Sequence, residues 1–350
     1  MTTEARRNNI APQVAVFFAL AVAGLLYVKW LPYYNRAFVA ASHHAIGNSI
    51  LMGKDAHPPV PSIDAALGYA LAYGKAIWQA MVLGLLLGSA VQALIPADWV
   101  SRLLGKHRFA SALAGGLLAL PGMMCTCCAA PVVVGLRRRQ AAPGAAIAFW
   151  LGNSVLNPAT LVFMGFVLGW KWTALRLALG LPMVFGLGYL ANRMASARDA
   201  AKAQESLAAL VAEPPQNPFR RWLRILARMT VRLVPEYLVL VLVLGAARAW
   251  LFPTIGPQID NHLLWIVAFA AAGMLFVIPT AGEVPIIQAM LALGMGAGPA
   301  GALLMTLPPI SLPSLAMVSR SFPPRVLAVV ASAVVLFGIA GGAAAIALGF

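Results

Sequence analysis

The sequence predicts an all-α polytopic membrane protein made of two inverted repeats, with discontinuous helices and re-entrant hairpins. Three observations carry this expectation. Hydrophobic residues fill 61% of the 350 positions, charged residues only 10%, and mean hydropathy is +0.84. The apolar residues lie in long stretches of the length a bilayer core demands rather than in short alternating runs. Several of these stretches are broken by proline, which frees backbone groups that lipid cannot satisfy and that protein, cavity water or substrate must.

Charge supports the same class. Against 10 Asp and Glu stand 25 Lys and Arg, a formal charge of +15. In a soluble chain that excess points to nucleic acid, but basic and aromatic residues do not interleave here, so no nucleic-acid partner is expected. Cytoplasmic loops of membrane proteins concentrate Lys and Arg, and the lipid bilayer is the partner this composition implies.

The elements follow in order. Arg6 and Arg7 precede an apolar run from Val14 to Trp30, too long for a signal core and without a small-residue cleavage site. This reads as an uncleaved first span. Leu31 to Ser62, with Asn35, His43, His44, Asp55 and His57, reads as an external loop, so residues 1–64 form an N-terminal span and loop. The three histidines have no ligand spacing of known geometry.

Residues 65–192 form the first transmembrane repeat. Ile63 to Ile95 supplies a long helix and Ala97 to Arg108 a short amphipathic one on the membrane surface. Phe109 to Leu136 is apolar and holds Pro-Gly-Met-Met-Cys-Thr-Cys-Cys-Ala-Ala-Pro, followed by Arg137 to Arg139. Ala142 to Gly169 is interrupted at Asn153 and Asn157-Pro158, and Leu175 to Leu190 is another span. Residues 193–234 change composition and read as a cytoplasmic linker with an amphipathic stretch near Phe219 to Leu233. The second repeat, 235–350, contains apolar segments Tyr237–Phe252, Leu263–Leu293, Ala300–Val318 and Val326–Leu348.

The halves align with each other. Pro131 lies over Pro285 at an offset of 154, Gly144 over Gly298, and Asn157-Pro158-Ala159 over Leu312-Pro313-Ser314 once one residue is inserted. Such repeats with broken helices recur in secondary transporters, whose sites lie at the repeat interface. Arg102, Lys106 and Arg108 precede the cysteine segment and Arg137 to Arg139 follow it, so it reads as a hairpin entering and leaving on the cytoplasmic face. Its counterpart, Leu263 to Leu293, has no Lys or Arg at either end and reads as a hairpin from outside. That threading gives seven spans and two hairpins, with 18 of the 25 basic residues inside and Lys29, Arg36, Lys54, Lys75, Lys171, Arg176 and Arg248 elsewhere. Nine spans with parallel repeats is the alternative.

Candidate chemistry gathers at the breaks. All three cysteines, Cys125, Cys127 and Cys128, sit beside the first, offering soft donors that select arsenic(III), copper(I) or zinc over magnesium or calcium. A carrier must release its load, which suits one or two exchanging thiols better than a full cage. The plain alternative is that small sulfur side chains fill a helix interface. Cys125 and Cys128 also form a Cys-x-x-Cys pair, but no second pair and no quinone or haem signature accompanies a thiol oxidoreductase. Glu283 is the only carboxylate deep within an apolar segment, two residues before Pro285, and such groups mark ion paths or proton relays unless they merely bond a freed carbonyl. Asn153, Asn157, Ser311 and Ser314 offer amides and hydroxyls at the breaks, either to pair backbone or to line a polar path.

Cys125-Thr-Cys127-Cys128-Ala-Ala-Pro131, Gly135-Leu136-Arg-Arg-Arg-Gln-Ala-Ala-Pro-Gly144, Asn157-Pro158-Ala-Thr160-Leu161 and Gly169-Trp170-Lys171 together resemble the predicted permeases that include the organoarsenical efflux permeases. Glu283-Val-Pro285 and Leu312-Pro-Ser-Leu315 resemble the second-half motifs. The resemblance implies a bacterial inner-membrane permease and, in the arsenical branch, cysteines of the first motif that bind trivalent organoarsenicals for export. This chain carries Cys-Thr-Cys-Cys where that branch carries Cys-Ser-Cys followed by small polar residues. No Gly-x-x-x-x-Gly-Lys loop is present, so a secondary transporter is expected rather than an enzyme, with protons as coupling ion and no cofactor. A permease for another small solute, its cysteines structural, is the alternative, and homo-oligomerisation is left open by the sequence.

Overall fold

The computed structural model describes residues 3–52, 59–194 and 217–350, with side chains from residue 11 onward; Asp55, His57 and residues 195–216 of the linker lie outside them. No strand occurs among the described residues. Six described helical stretches are long and apolar enough to cross a membrane: Ala11–His43, Ile63–Leu94, Pro143–Val167, Trp170–Met194, Pro218–Leu251 and Pro324–Ala347. The protein is an all-α polytopic membrane protein.

One expectation fails at the N-terminus. Helix α1 (Thr3–Leu25) passes through a π segment, Leu26–Trp30, into α2 (Leu31–His43), so the first half of the expected external loop is helix. Asn35, Arg36 and Ser42 dilute its hydropathy, yet Pro32 stands in the first turn of α2, where a missing N–H costs little. The chain leaves α2 at His44 in the left-handed conformation, φ 51°. Arg36 then donates to the Ile46 carbonyl at 2.7 Å, and Gln288 to the His44 carbonyl at 2.8 Å.

Helix α3 (Ile63–Leu94), N-capped by Ser62, and the short α4 (Ala97–Leu104) precede the cysteine segment. That segment is α5 (Phe109–Ala119), a 3-10 turn Leu120–Gly122, and α6 (Thr126–Arg138). It doubles back. The Asn192 side chain donates to the Arg108 carbonyl at 3.1 Å and accepts from the Gly144 amide at 2.8 Å, holding the chain on both sides of the segment at one end of the bundle. Helices α7 (Pro143–Val155), α8 (Pro158–Val167), α9 (Trp170–Leu181) and α10 (Leu187–Met194), the last two joined by a π segment, complete this half.

The second half comprises α11 (Pro218–Leu251), α12 (Leu263–Leu275), α13 (Glu283–Ala292), α14 (Ala297–Thr306), α15 (Leu312–Val318) and α16 (Pro324–Ala347). Its helix pair doubles back as well: the Gly296 amide donates to the Ile259 carbonyl and the Gly298 amide to Asn261 Oδ1, each at 2.8 Å. The Ala300–Val318 stretch, read from sequence as a proline-broken span, is two helices, α14 and α15, with the break over residues 307–311.

Helix starts recur at a fixed distance. Phe109 and Leu263, Pro143 and Ala297, Trp170 and Pro324 are each 154 residues apart, as are the cap residues Asn157 and Ser311. The inserted residue that the motif alignment required is therefore removed: Asn157 matches Ser311, not Leu312. Packing also recurs, α5 lying along α7 with Gly115 against the Ala145 backbone and α12 along α14 with Gly273 against Leu303 and Thr306. Helices α3 and α11 run in opposite directions, Gly245 of α11 against Ala66 and Tyr69 near the start of α3, and Trp222 donating to Ser89 Oγ at 2.9 Å near its end.

Close backbone approach fixes α6. A Cβ on Gly84 would run into the Cys128 carbonyl and one on Gly88 into that of Pro131, so only glycine lets α3 reach the cysteine helix. One large buried cluster, from Tyr69 on α3 to Val334 on α16, surrounds both breaks.

Candidate functional site: two facing helix breaks

At the first break the chain turns at Met123, a non-glycine residue at φ 47°, and restarts as α6 with Cys125 as N-cap. Residues held in such conformations cluster at binding sites, where the surroundings override the local cost. The freed groups find protein partners. Asn153 Oδ1 accepts from the Met124 amide at 3.4 Å while its Nδ2 donates to the Phe149 carbonyl, and Trp150 donates to the Thr126 carbonyl at 3.2 Å. Pro131 has no N–H for the Cys127 carbonyl one turn earlier.

All three cysteines are buried and free. Cys125 Sγ lies 3.0 Å from Cys128 Sγ, well beyond the ~2.05 Å of a disulfide. Cys127 points elsewhere, 3.4 Å from Ser311 Oγ, with the Tyr73 and Tyr237 hydroxyls close to it. Both tyrosine hydroxyls are buried without a partner at hydrogen-bonding geometry. The sulfurs thus form a pair and a single, and no group of three or more His, Cys, Asp or Glu side chains among the described residues converges to hold a metal ion. A three-thiolate cage is not formed; a two-sulfur or one-sulfur ligand set is what the geometry offers.

Lys29, placed outside the site by sequence, enters it. It is 4% exposed, donates to Thr280 Oγ1 at 3.1 Å and Tyr33 OH at 3.2 Å, and stands within electrostatic reach of Cys125 and Cys128. The neighbouring Trp30 donates to the Pro121 carbonyl at 2.8 Å. The π segment Leu26–Trp30 therefore touches the first break through Trp30 and the second through Lys29, and π-bulges of this sort frequently mark functional sites. Thiols beside an ammonium and a helix N-terminus face positive charge from two directions.

The second break runs through residues 276–282, with Ala281 at φ 64°, and restarts as α13 at Glu283. Glu283 is 2% exposed and its Oε1 accepts from Arg176 Nη1 at 2.6 Å. Arg176, fully buried, also donates to the Val155 carbonyl at 2.9 Å and the Ser154 carbonyl at 2.5 Å, the last carbonyls of α7. The carboxylate expected as a lone group is half of a buried ion pair, the only one among the described residues. No sequence signal separated Arg176 from a residue at a span end, because its partner lies 107 positions away.

Of the polar residues at the interruptions, Asn157 caps α8, accepting from the Ala159 and Thr160 amides at 3.1 and 3.2 Å, and its Nδ2 and Thr160 Oγ1 are buried without partners. Ser311 and Ser314 form a reciprocal capping box on α15. Ser311 thus serves both the helix and Cys127; Asn153 and Ser314 satisfy backbone freed by the breaks.

Comparison with known proteins follows the same direction. Residues 62–346 match a family described as predicted permease. The chain is 52% identical over 332 residues to the UPF0718 protein YraQ of Escherichia coli K12, covering 95% of this chain and 94% of YraQ. It is 23% identical over 311 residues to the UPF0718 protein MJ0584 of Methanocaldococcus jannaschii, covering 69% of this chain and 84% of that protein. No solved structure matches. With motif, helix pattern and relatives in agreement, the chain belongs to the predicted-permease family of multi-pass membrane transporters.

Proposed function

We propose that the protein is a secondary transporter of the bacterial inner membrane that exports a thiophilic metalloid or metal species, a trivalent methylated arsenical being the first candidate, in exchange for protons. The observation that carries the reading is the set of three buried free thiols at a helix break, split into a pair and a single beside Lys29. A two-sulfur site holds a soft ion through bonds that exchange quickly, while Cys127, with Ser311, is a second stop for stepwise transfer. The opposed directions of α3 and α11 support inverted repeats, and the doubled-back helix pairs support re-entrant hairpins, so alternating access rocks one repeat against the other. Glu283 carries the proton by exchanging its bond to Arg176 for a protonated state, which an intramembrane ion pair at a helix break is placed to do.

The Cys125→Ser/Cys127→Ser/Cys128→Ser variant tests it. Cells lacking their own exporter should lose resistance to methylarsenite with the variant at normal membrane abundance, and parent uptake into everted vesicles should stop when a protonophore collapses the gradient. Equal resistance from parent and variant would remove the sulfur site. The close packing of Cys128 against Gly84 favours the second reading in that event: a permease for another small solute whose cysteines fill the α3–α6 contact.

A further inference from the structure

Tyr73 of α3 and Tyr237 of α11 carry hydroxyls that the fold leaves unbonded. Both side chains are buried, 1% and 5% exposed, and neither hydroxyl meets a protein partner at hydrogen-bonding geometry. The two hydroxyls lie close to each other and to Cys127, and their rings are tilted at 41° with centroids 6.2 Å apart. Ser311 Oγ stands 3.4 Å from Cys127 Sγ. Neighbouring Tyr69, stacked on Tyr73 with centroids 5.8 Å apart, differs: its hydroxyl donates to the Val277 carbonyl.

A phenylalanine would fill the space of either tyrosine without a buried polar group, which is costly where no water reaches it. A phenol both donates and accepts, so the pair is equipped for a ligand that bears oxygen. Cys127, Ser311, Tyr73 and Tyr237 come from four helices, α3 and α6 of the first half and α11 and α15 of the second. Polar groups gathered from both halves on one point are what a substrate site at a repeat interface requires. The division of the sulfurs gives the oxygen its place. A trivalent metalloid hydroxide such as methylarsenite carries two hydroxyls; the Cys125 and Cys128 pair can displace both, whereas Cys127 alone displaces one. That step breaks one arsenic–oxygen bond and forms one arsenic–sulfur bond. The thiol proton leaves with the displaced hydroxide as water, and no electrons are transferred. The other hydroxyl stays on the arsenic beside Cys127 and needs partners.

We propose that Tyr73 and Tyr237 are specificity-determining residues of a single-sulfur subsite at Cys127, where they hydrogen-bond an oxygen that the bound metalloid retains. The inference rests on the reading of Cys127 as a stop for a thiophilic substrate, and it narrows that substrate to a soft atom that keeps a hydroxyl rather than a bare copper(I) or zinc ion. The test uses the full-length protein in nanodiscs with Cys125→Ser/Cys128→Ser, so that Cys127 is its remaining thiol. Methylarsenite is one probe; the other is methylmercury, which takes a single thiol in a linear bond and keeps no oxygen. Bound arsenic and mercury are measured by mass spectrometry after equilibrium dialysis. Tyr73→Phe/Tyr237→Phe should weaken methylarsenite binding at least about tenfold, the scale of lost hydrogen bonds, and leave methylmercury binding unchanged. Should this double variant fail to fold, Tyr73→Phe and Tyr237→Phe singly should each weaken methylarsenite about threefold, with methylmercury again unchanged. If the serine background does not fold, the tyrosine variants are compared in the parent by the same criterion. Equal loss of both probes, or loss of neither, overturns the proposal and leaves the sulfur reading standing. So does binding of methylmercury without methylarsenite before the tyrosines are changed. Binding of neither probe overturns both readings.

Discussion

The two helix breaks share a scaffold and differ in chemistry. Each follows a helix that enters the bundle and passes through a residue in the left-handed conformation, Met123 in the first and Ala281 in the second, before a new helix starts at Thr126 and at Glu283. Yet the first is lined by soft sulfur and the second by a buried ion pair. The difference teaches that a break recurs at about the same place in each half while its detail diverged: at the 154-residue offset Ala129, inside α6, stands where Glu283 starts α13, and helical Cys127 where left-handed Ala281 does. Lys29 is the piece shared between them, bonded to Thr280 and facing Cys125 and Cys128.

Labelling gives the largest contrast, because it is all or none. Single cysteines placed on a thiol-free background at His107 and Gln140 should react from one side of the membrane, and those at Gln258 and Ala292 from the other. Labelling of either pair from both sides would break the equivalence of the two doubled-back segments. Next in size is the ion pair. Arg176→Gln or Glu283→Gln alone leaves a charge buried without its partner, a loss of about 3–5 kcal/mol, seen as a lowered unfolding temperature and low membrane abundance. The double variant Arg176→Gln/Glu283→Gln should recover much of that loss, and singles as stable as the parent would show the second break to be no more charged in effect than the first.

The first break should respond in the opposite way. Cys125→Ser, Cys127→Ser and Cys128→Ser change volume little, so each should cost less than about 1.5 kcal/mol while soft-ion binding, followed by competition with a thiol-specific dye, drops. Cys125→Ser and Cys128→Ser should have matching effects as partners in one pair, and Cys127→Ser a separate one. The smallest effect is expected at the caps. Asn157→Ala removes the oxygen that bonds two amides of α8 and should cost about 1 kcal/mol, whereas Asn157→Asp keeps that oxygen and should unfold within a few tenths of the parent. Equal losses for the two would mean that the amide nitrogen, not the cap, matters there.

How far the sequence reached depends on what kind of signal each residue emits. Hydropathy and proline are local properties, so the spans, both breaks and the capping residues Asn157 and Ser311 were legible. The α2 helix was not, because Asn35, Arg36 and His43 resemble a loop when Ile46, the partner of Arg36, and the α8 end, the partner of His44 just past the helix, are unseen. Lys29 and Arg176 were assigned by charge to span ends for the same reason. The sequence by itself determined a basic, proline-broken, all-helical membrane chain with its thiols gathered at one place, since composition and short spacing suffice for those properties. Only the tertiary structure decided that the three thiols divide two and one, that Glu283 is paired and that two tyrosine hydroxyls stand beside Cys127, because each of these depends on contacts between residues far apart in the chain, and a buried charge announces its partner only in three dimensions.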